Sequence, residues 1–266
     1  MIVDYHMHLR DERNDIDHTA AAAEKFVERA SERGLHEIGF TEHVYYFRQT
    51  RECWSRQYQA ERCVYDLDVY VDAVLEAKRR NLPVKLGLEV DWFPPGDEPL
   101  PDLLAGYPWD YLLGSVHWVD GRSVDGGADR GAWREWPSGE VWRRYADEWS
   151  RAARSGRFDV MSHPDLAKIF GVRGGDDDYA RMAAAADEAG VALEISTAGL
   201  RKPVGELYPD ERLLRGSRAP VTLASDAHVP AEVGDRLEEA VELARRCGRD
   251  TVTVFEGRRA RQEPLG

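Results

Sequence analysis

The stretch Val84-Lys85-Leu86-Gly87-Leu88-Glu89-Val90 shows the pattern that decides the fold. It is mostly apolar and carries a carboxylate near its carboxyl end, which is typical of a strand buried on both faces of a parallel sheet. An amphipathic helical pattern precedes it, with Asp66 as N-cap and an apolar stripe that includes Leu67, Val71 and Val74. A helix followed by a buried strand is the unit from which parallel α/β sheets are built.

The same unit recurs along the chain. Strand-like apolar runs are predicted at residues 2–6, 37–40, 84–90, 111–116, 158–161, 191–195 and 221–224. Helical patterns separate them, for example around residues 140–155, 178–189 and 231–247, and one more strand-like run follows at residues 251–255. Seven buried strands that alternate with helices favour closure into an α/β barrel over an open sheet.

In two segments, residues 48–65 and 118–137, the apolar residues follow neither a helical nor a strand period. Both segments are predicted to be long loops. Loops of this length inside a compact domain are usually lids or binding loops. We therefore expect both of them to lie over a functional site.

The composition limits the classes of function. The 266 residues include 36 Lys and Arg against 49 Asp and Glu, a net charge of −13, which argues against a nucleic-acid partner but not against a small anionic substrate. The three cysteines form no CxxC pair, so a secreted disulfide framework is not expected. The sequence shows neither a signal-peptide pattern nor a membrane-length apolar run, which predicts a cytoplasmic protein without a membrane partner.

Most of the histidines end predicted strands, as does one glutamate. These residues are His6, His8, His43, His117, His163, His228 and Glu89. In a parallel barrel the carboxyl ends of the strands share one face, where catalytic residues gather. Taken singly, a strand-end histidine is more often a hydrogen-bonded core residue, and Asp226 could be a helix cap. Together with His18, which lies in the loop after the first strand, the set exceeds what one ion needs and indicates a multinuclear metal site.

These motifs, in this order, resemble those of the polymerase-and-histidinol-phosphatase (PHP) superfamily, and specifically its histidinol-phosphatase branch. The matching motifs are Asp4-Tyr5-His6-Met7-His8, Thr41-Glu42-His43, Gly87-Leu88-Glu89, Gly114-Ser115-Val116-His117, Ser162-His163-Pro164 and Ser225-Asp226-Ala227-His228. The resemblance implies a distorted TIM-like (βα)7 barrel, formed by residues 1–266 as a single domain, with its metal site at the carboxyl ends of the strands.

The resemblance also implies three divalent ions, drawn from Zn, Mn or Fe. The implied ligands are His6, His8, Glu89 and Asp226 for the first ion, Glu89, His117 and His163 for the second, and His18, His43 and His228 for the third. The segment between His8 and His18 is longer than is usual in the family. The third ion is therefore expected to be the most weakly held if His18 does not bind it.

The implied activity is that of a metal-dependent phosphatase, histidinol-phosphatase (EC 3.1.3.15), which converts L-histidinol phosphate and water to L-histidinol and phosphate in histidine biosynthesis. Metal-activated hydroxide would attack phosphorus, with Asp226, Glu89 and His228 as the catalytic residues. Arg201 and Lys168 follow strand ends and are expected to bind the phosphate. For the imidazole ring there are only positional candidates, which are Asp91, Trp118 and Tyr208.

Other readings stay open on the sequence alone. One is a different phosphoesterase of the same superfamily, a nucleotide phosphatase or an exonuclease, although an exonuclease would need a basic or aromatic track. Another is an amidohydrolase, which usually carries a bridging lysine at a strand end, whereas Lys85 begins its strand and Glu89 ends it. A third is a binding module that has lost catalysis.

Overall fold

The computed structural model describes residues 1–94, 98–127 and 131–266. The strands are β1 (Val3–Asp4), β2 (Glu37–Phe40), β3 (Val84–Asp91), β4 (Tyr111–Ser115), β5 (Trp118–Val119), β6 (Arg122–Ser123), β7 (Val160–Met161), β8 (Ala192–Ser196), β9 (Val221–Ala224), β10 (Thr251–Glu256) and β11 (Arg259–Pro264). Seven of them pair in parallel, in the order β1-β2-β3-β4-β7-β8-β9. Each of these seven falls within, or within one residue of, a strand predicted from the sequence.

The first and last strands of this sheet meet, so that the sheet forms a nearly closed barrel. The Tyr5 amide donates to the Leu223 carbonyl over 3.0 Å, and Met7 forms an isolated parallel bridge with Ala227. The predicted first strand, residues 2–6, is regular only in β1, because its later residues turn to contact the chain that follows β9. The predicted α/β barrel is confirmed.

Helices cover the outside of the barrel between its strands. They are α1 (Ala20–Glu32), α2 (Gln57–Arg62), α3 (Leu67–Arg79), α4 (Leu100–Leu104), α5 (Ala132–Glu135), α6 (Ser138–Arg154), α7 (Asp176–Ala189), α8 (Glu211–Gly216) and α9 (Leu237–Arg246). The predicted helix at residues 231–247 begins only at Leu237, because a 3-10 turn (Pro230–Glu232) and a left-handed glycine, Gly234 with φ of 66°, come first. Among the described residues, no helix has the length and apolar character needed to cross a bilayer.

The strand-like run at residues 251–255 does not join the barrel. It forms β10, which pairs antiparallel with β11 in a separate hairpin. The ring of Phe255 stacks on Tyr111 with ring centroids 5.5 Å apart, and Tyr111 stacks on Tyr5 with centroids 5.1 Å apart. The hairpin therefore extends the aromatic core at the end of the barrel where the strands begin.

The two predicted loops contain more regular structure than their sequences indicate. Residues 48–65 include a 3-10 helix (Arg48–Cys53) and α2. Residues 118–137 include the β5–β6 hairpin and α5, and the part at residues 128–130 lies outside the described residues. Both segments follow barrel strands at the carboxyl end, where the predicted site residues also lie.

Candidate metal centre

The structure brings the predicted ligands other than His18 together at the carboxyl end of the barrel. His6 and His8 follow β1 with one residue between them, and both side chains are fully buried. Alternate residues of extended chain point to the same side, so the HxH pair delivers two imidazoles into one cavity. Glu89 enters from β3, also fully buried, and the remaining ligands follow β2, β4, β7 and β9.

Glu89 lies at the centre of this cluster. Its Oε2 is 2.6 Å from His43 Nδ1 and 3.4 Å from His6 Nε2. Its Oε1 is 3.2 Å from His163 Nε2 and 3.4 Å from His117 Nε2. Each carboxylate oxygen therefore faces a different set of imidazoles, which is the arrangement that a bridging ligand requires.

Asp226 approaches the same cluster from the loop after β9. Its Oδ1 lies 3.4 Å from His8 Nε2, 3.7 Å from His6 Nε2 and 3.7 Å from His228 Nδ1. Its backbone is left-handed, with φ of 53°, a conformation that aspartate adopts more readily than most residues. The Arg201 guanidinium donates to the carbonyls of Ser225 and Asp226, over 2.7 and 3.1 Å, and holds this loop in place.

Among the described residues, three groups of side chains have ligand atoms within 4.8 Å of one another. The groups are His6, His8 and Glu89; Glu89, His117 and His163; and His8, His43 and His228. The first two reproduce predicted ligand sets, apart from Asp226 in the first. The third contains His8 where the sequence predicted His18. Histidine and carboxylate ligands of this kind suit divalent transition metals.

His18 lies apart from His43 and His228 in these groups. Its Nε2 is 3.6 Å from Glu42 Oε1, and its ring packs against Phe47 and Tyr70 with centroids 5.7 and 5.2 Å away. The predicted role of His18 as a ligand of the third ion stays a prediction, and Glu42 is the carboxylate beside it.

The histidines keep the two central carboxylates ionised. Burial alone would raise the pKa of Glu89, but His43 and His6 outweigh it and hold that pKa well below its usual range. Burial likewise acts to raise the pKa of Asp226, and His6 and His8 bring it well below normal. Two anionic groups thus lie among neutral or protonated imidazoles, as a cation site requires.

The histidines themselves are shifted in opposite directions. Burial alone would lower the pKa of His117, but the Asp91 carboxylate, 2.7 Å from its Nδ1, raises it to about 10. Burial and the neighbouring His8 lower the pKa of His228 to about 3. His117 is therefore governed by its carboxylate partner, whereas His228 is governed mainly by burial.

Several buried atoms of the cluster have no hydrogen-bond partner in the described part of the chain. They are His6 Nε2, His8 Nε2, His43 Nδ1, His163 Nδ1 and Glu89 Oε2. Buried polar atoms left unsatisfied are costly, and native proteins rarely keep several at one place. Because His6 Nε2, His8 Nε2 and His43 Nδ1 all lie within 3.7 Å of Glu89 Oε2, the residues present fit bound metal ions.

Three further carboxylates support the histidines from behind, and the sequence analysis assigned none of them to this supporting role. Glu194 Oε2 lies 2.9 Å from His6 Nδ1, and Asp91 binds His117 Nδ1. Glu42 Oε2 lies 3.4 Å from His8 Nδ1. A carboxylate on one ring nitrogen fixes the tautomer that leaves the other nitrogen free for a metal. Asp91 was a candidate for contact with the substrate ring, but its fully buried carboxylate is engaged by His117.

Replacing Glu194 by glutamine is expected to weaken metal binding by roughly 10- to 100-fold. The glutamine Oε1 can still accept from the His163 amide, as Glu194 Oε1 does over 2.9 Å, but its NH2 group would face His6 Nδ1. Competition with a chromogenic chelator measures the affinity. Glu188→Gln, an exposed carboxylate paired with Arg154, is the matched control, and equal affinities in the two variants would contradict the assigned role.

The two predicted phosphate ligands are in different surroundings. Arg201 lies beside the site, with its Nε and Nη1 3.7 Å from Glu232 and Asp235 respectively. Lys168 is buried, with its Nζ 3.0 Å from Asp165 Oδ2 and donating to the Leu207 carbonyl over 2.7 Å. Contact of either side chain with a phosphate stays a prediction.

Comparison with known proteins agrees with this geometry. The PHP domain family model matches residues 4–198. A probable histidinol-phosphatase of Deinococcus radiodurans is 34% identical over 240 residues, which cover 89% of this chain and 91% of that protein. One of Schizosaccharomyces pombe is 23% identical, over 90% and 85% of the two chains. The crystal structure of histidinol phosphate phosphatase from Lactococcus lactis, complexed with zinc, L-histidinol and phosphate, has a TM-score of 0.71 at 20% identity and covers 98% of both chains.

Proposed function

Because the chain belongs to the PHP domain family, we propose that it is a metal-dependent phosphomonoesterase that hydrolyses L-histidinol phosphate to L-histidinol and phosphate. The observation that carries this proposal is the convergence of buried imidazoles on the two oxygens of Glu89, with Asp226 at the edge of the cluster. The proposed substrate is taken from the names of the related proteins. The geometry of the metal ligands supports metal-dependent hydrolysis.

The three groups of ligand atoms define where ions would be held. Glu89 is common to two of the groups and His8 is also common to two. When bound there, divalent ions would lower the pKa of water and neutralise the oxygens of a phosphoryl group. We propose three ions per chain, which elemental analysis of the purified protein tests directly.

Three side chains of the protein have proposed roles beside those of the metal ions. Glu89 belongs to two of the groups and is proposed to hold them together. Its side chain is only 1% exposed, so it is not proposed to exchange protons with solvent. Asp226 lies at the edge of the cluster with its side chain 14% exposed, and it is proposed to take part in proton transfer to the leaving oxygen. Arg201 fixes the Asp226 loop and is proposed to contact the phosphate from there.

The proposed substrate is a small charged metabolite. Such phosphomonoesters do not cross the apolar core of a bilayer, so we propose that the protein acts in the cytoplasm. We propose no nucleic-acid partner, in keeping with the net charge of −13.

The test is phosphate release by the purified protein from histidinol phosphate, p-nitrophenyl phosphate and a dinucleotide, each with and without a chelator. We expect chelator-sensitive release with a strong preference for histidinol phosphate. Chelator-sensitive release from only the other two substrates would support a metal-dependent phosphoesterase. It would overturn histidinol phosphate as the substrate. No release from any of them by the metal-loaded protein would overturn both.

A further inference from the structure

Tyr208 is held rigidly beside the metal centre by the end of a barrel strand. The Ser196 amide, in β8, donates to the Tyr208 carbonyl over 2.7 Å, and the Tyr208 amide donates to the Ser196 carbonyl over 3.0 Å. The ring lies close over Gly199, where a Cβ atom would come within 3.0 Å of Tyr208 Cε2. A larger residue at position 199 would collide first with the Glu206 carbonyl oxygen and then with this ring.

Lys168 lies against Tyr208. Its Nζ lies 5.4 Å from the centroid of the Tyr208 ring and donates to the carbonyl of the preceding residue, Leu207. The ammonium is itself held by Asp165. Lys168 is therefore placed to position Tyr208, and through it to act on whatever Tyr208 binds.

The Tyr208 ring lies beside one of the proposed metal ligands, and its hydroxyl has no partner among the described residues. The ring meets that of His163 edge-on, with centroids 6.4 Å apart and an interplanar angle of 70°. Burial raises the pKa of Tyr208, and the charges of Asp165 and then Asp226 act in the same direction. Tyr208 is 1% exposed, and its hydroxyl oxygen has no hydrogen-bond partner among the described residues.

Other buried tyrosines of the barrel are satisfied within the protein. The hydroxyls of Tyr70, Tyr111 and Tyr145 donate to main-chain carbonyls over 2.7 to 3.0 Å. A buried hydroxyl without a partner lowers stability, so its retention at a site needs a reason. The contrast indicates that the Tyr208 hydroxyl is reserved for a ligand.

We propose that the Tyr208 hydroxyl donates a hydrogen bond to a non-bridging oxygen of the substrate's phosphoryl group. This inference rests on the proposed phosphomonoesterase function and adds a substrate-binding residue to it. A phenol is protonated at neutral pH and is therefore a donor, whereas the carboxylates Asp226 and Glu89 near it can only accept. A fixed donor on rigid backbone can contact an anionic oxygen without rearrangement.

The test compares Tyr208→Phe with Tyr111→Phe in the metal-loaded protein. Each change removes one buried hydroxyl, but only the Tyr111 hydroxyl has a partner within the protein, the Tyr5 carbonyl. Inorganic phosphate is the probe, as an inhibitor of p-nitrophenyl phosphate hydrolysis and by calorimetric titration. Melting temperature and metal content are measured on the same samples.

For Tyr208→Phe we expect phosphate binding and kcat/KM to fall at least about tenfold, with unchanged metal content and an equal or higher melting temperature. For Tyr111→Phe we expect a lower melting temperature and unchanged phosphate binding. Unchanged phosphate binding in Tyr208→Phe, or loss of metal from it, would overturn the proposal. Because the probe is phosphate itself, failure of the wild-type protein on histidinol phosphate would count against the proposed substrate and not against Tyr208.

Discussion

Replacing Glu89 by glutamine is expected to lower kcat/KM for the phosphomonoester at least about a thousandfold. Glutamine has nearly the same shape, but it exchanges one of two anionic oxygens for an NH2 group that cannot accept. In the structure both oxygens are in use, since Oε2 faces His6 and His43 while Oε1 faces His117 and His163. We therefore expect the variant to lose bound metal as well, as measured by elemental analysis.

Glu37→Gln is the matched control for Glu89. Glu37 begins the neighbouring strand β2 at the other end of the barrel, where it contacts Tyr5 and Lys85. We expect this variant to retain wild-type kcat/KM and metal content. A Glu89→Gln protein that is folded, retains its full metal content and is as active as Glu37→Gln would show that Glu89 does not bridge two ions.

Removal of metal by a chelator is expected to abolish activity and to lower the melting temperature by roughly 5 °C or more. Ions stabilise the folded state because only folding brings their ligands together, from residues as distant in sequence as His6 and His228. Several buried nitrogen and oxygen atoms of the site have no hydrogen-bond partner within the described residues. Without metal, these atoms would have nothing to bind. Differential scanning calorimetry and a phosphate-release assay on the same dialysed sample measure both effects.

Restoring Zn, Mn or Fe one at a time identifies the productive metal. We expect at least one of them to return both the activity and the melting temperature to their starting values. Full activity in a protein shown by elemental analysis to be free of metal would contradict the metal-dependent mechanism. A chelator effect that persists after the metal is returned would indicate damage instead of metal loss.

Much of the fold follows from local sequence patterns. Strands such as β3 and β9 are recognisable because a strand buried on both faces must be nearly continuous in apolar residues. The run at residues 251–255 has the same local character, yet it pairs with β11 outside the barrel. Composition does not distinguish the two cases, because the pairing partner is chosen by the rest of the fold.

The charge of the site depends on more carboxylates than the predicted ligands Glu89 and Asp226. Three divalent ions with Glu89 and Asp226 alone would leave about four positive charges. The structure adds Glu42, Asp91 and Glu194, all fully buried behind the histidines, which lowers that figure to about one. With so small a net charge, binding of a phosphate depends less on the overall charge of the site. It depends more on the positions of individual hydrogen-bond donors and metal ions.

The sequence by itself determined which residue types end the strands, and hence that a cluster of imidazoles with Glu89 and Asp226 lies at one end of a parallel barrel. That inference needs only the period of the strands and the position of polar residues along them. The tertiary structure alone decided that Glu194 supports His6, that Lys168 is buried against Tyr208, and that the Tyr208 hydroxyl is left without a partner among the described residues. These relations join residues far apart in the chain, and they depend on strand register and side-chain direction, which local patterns do not contain.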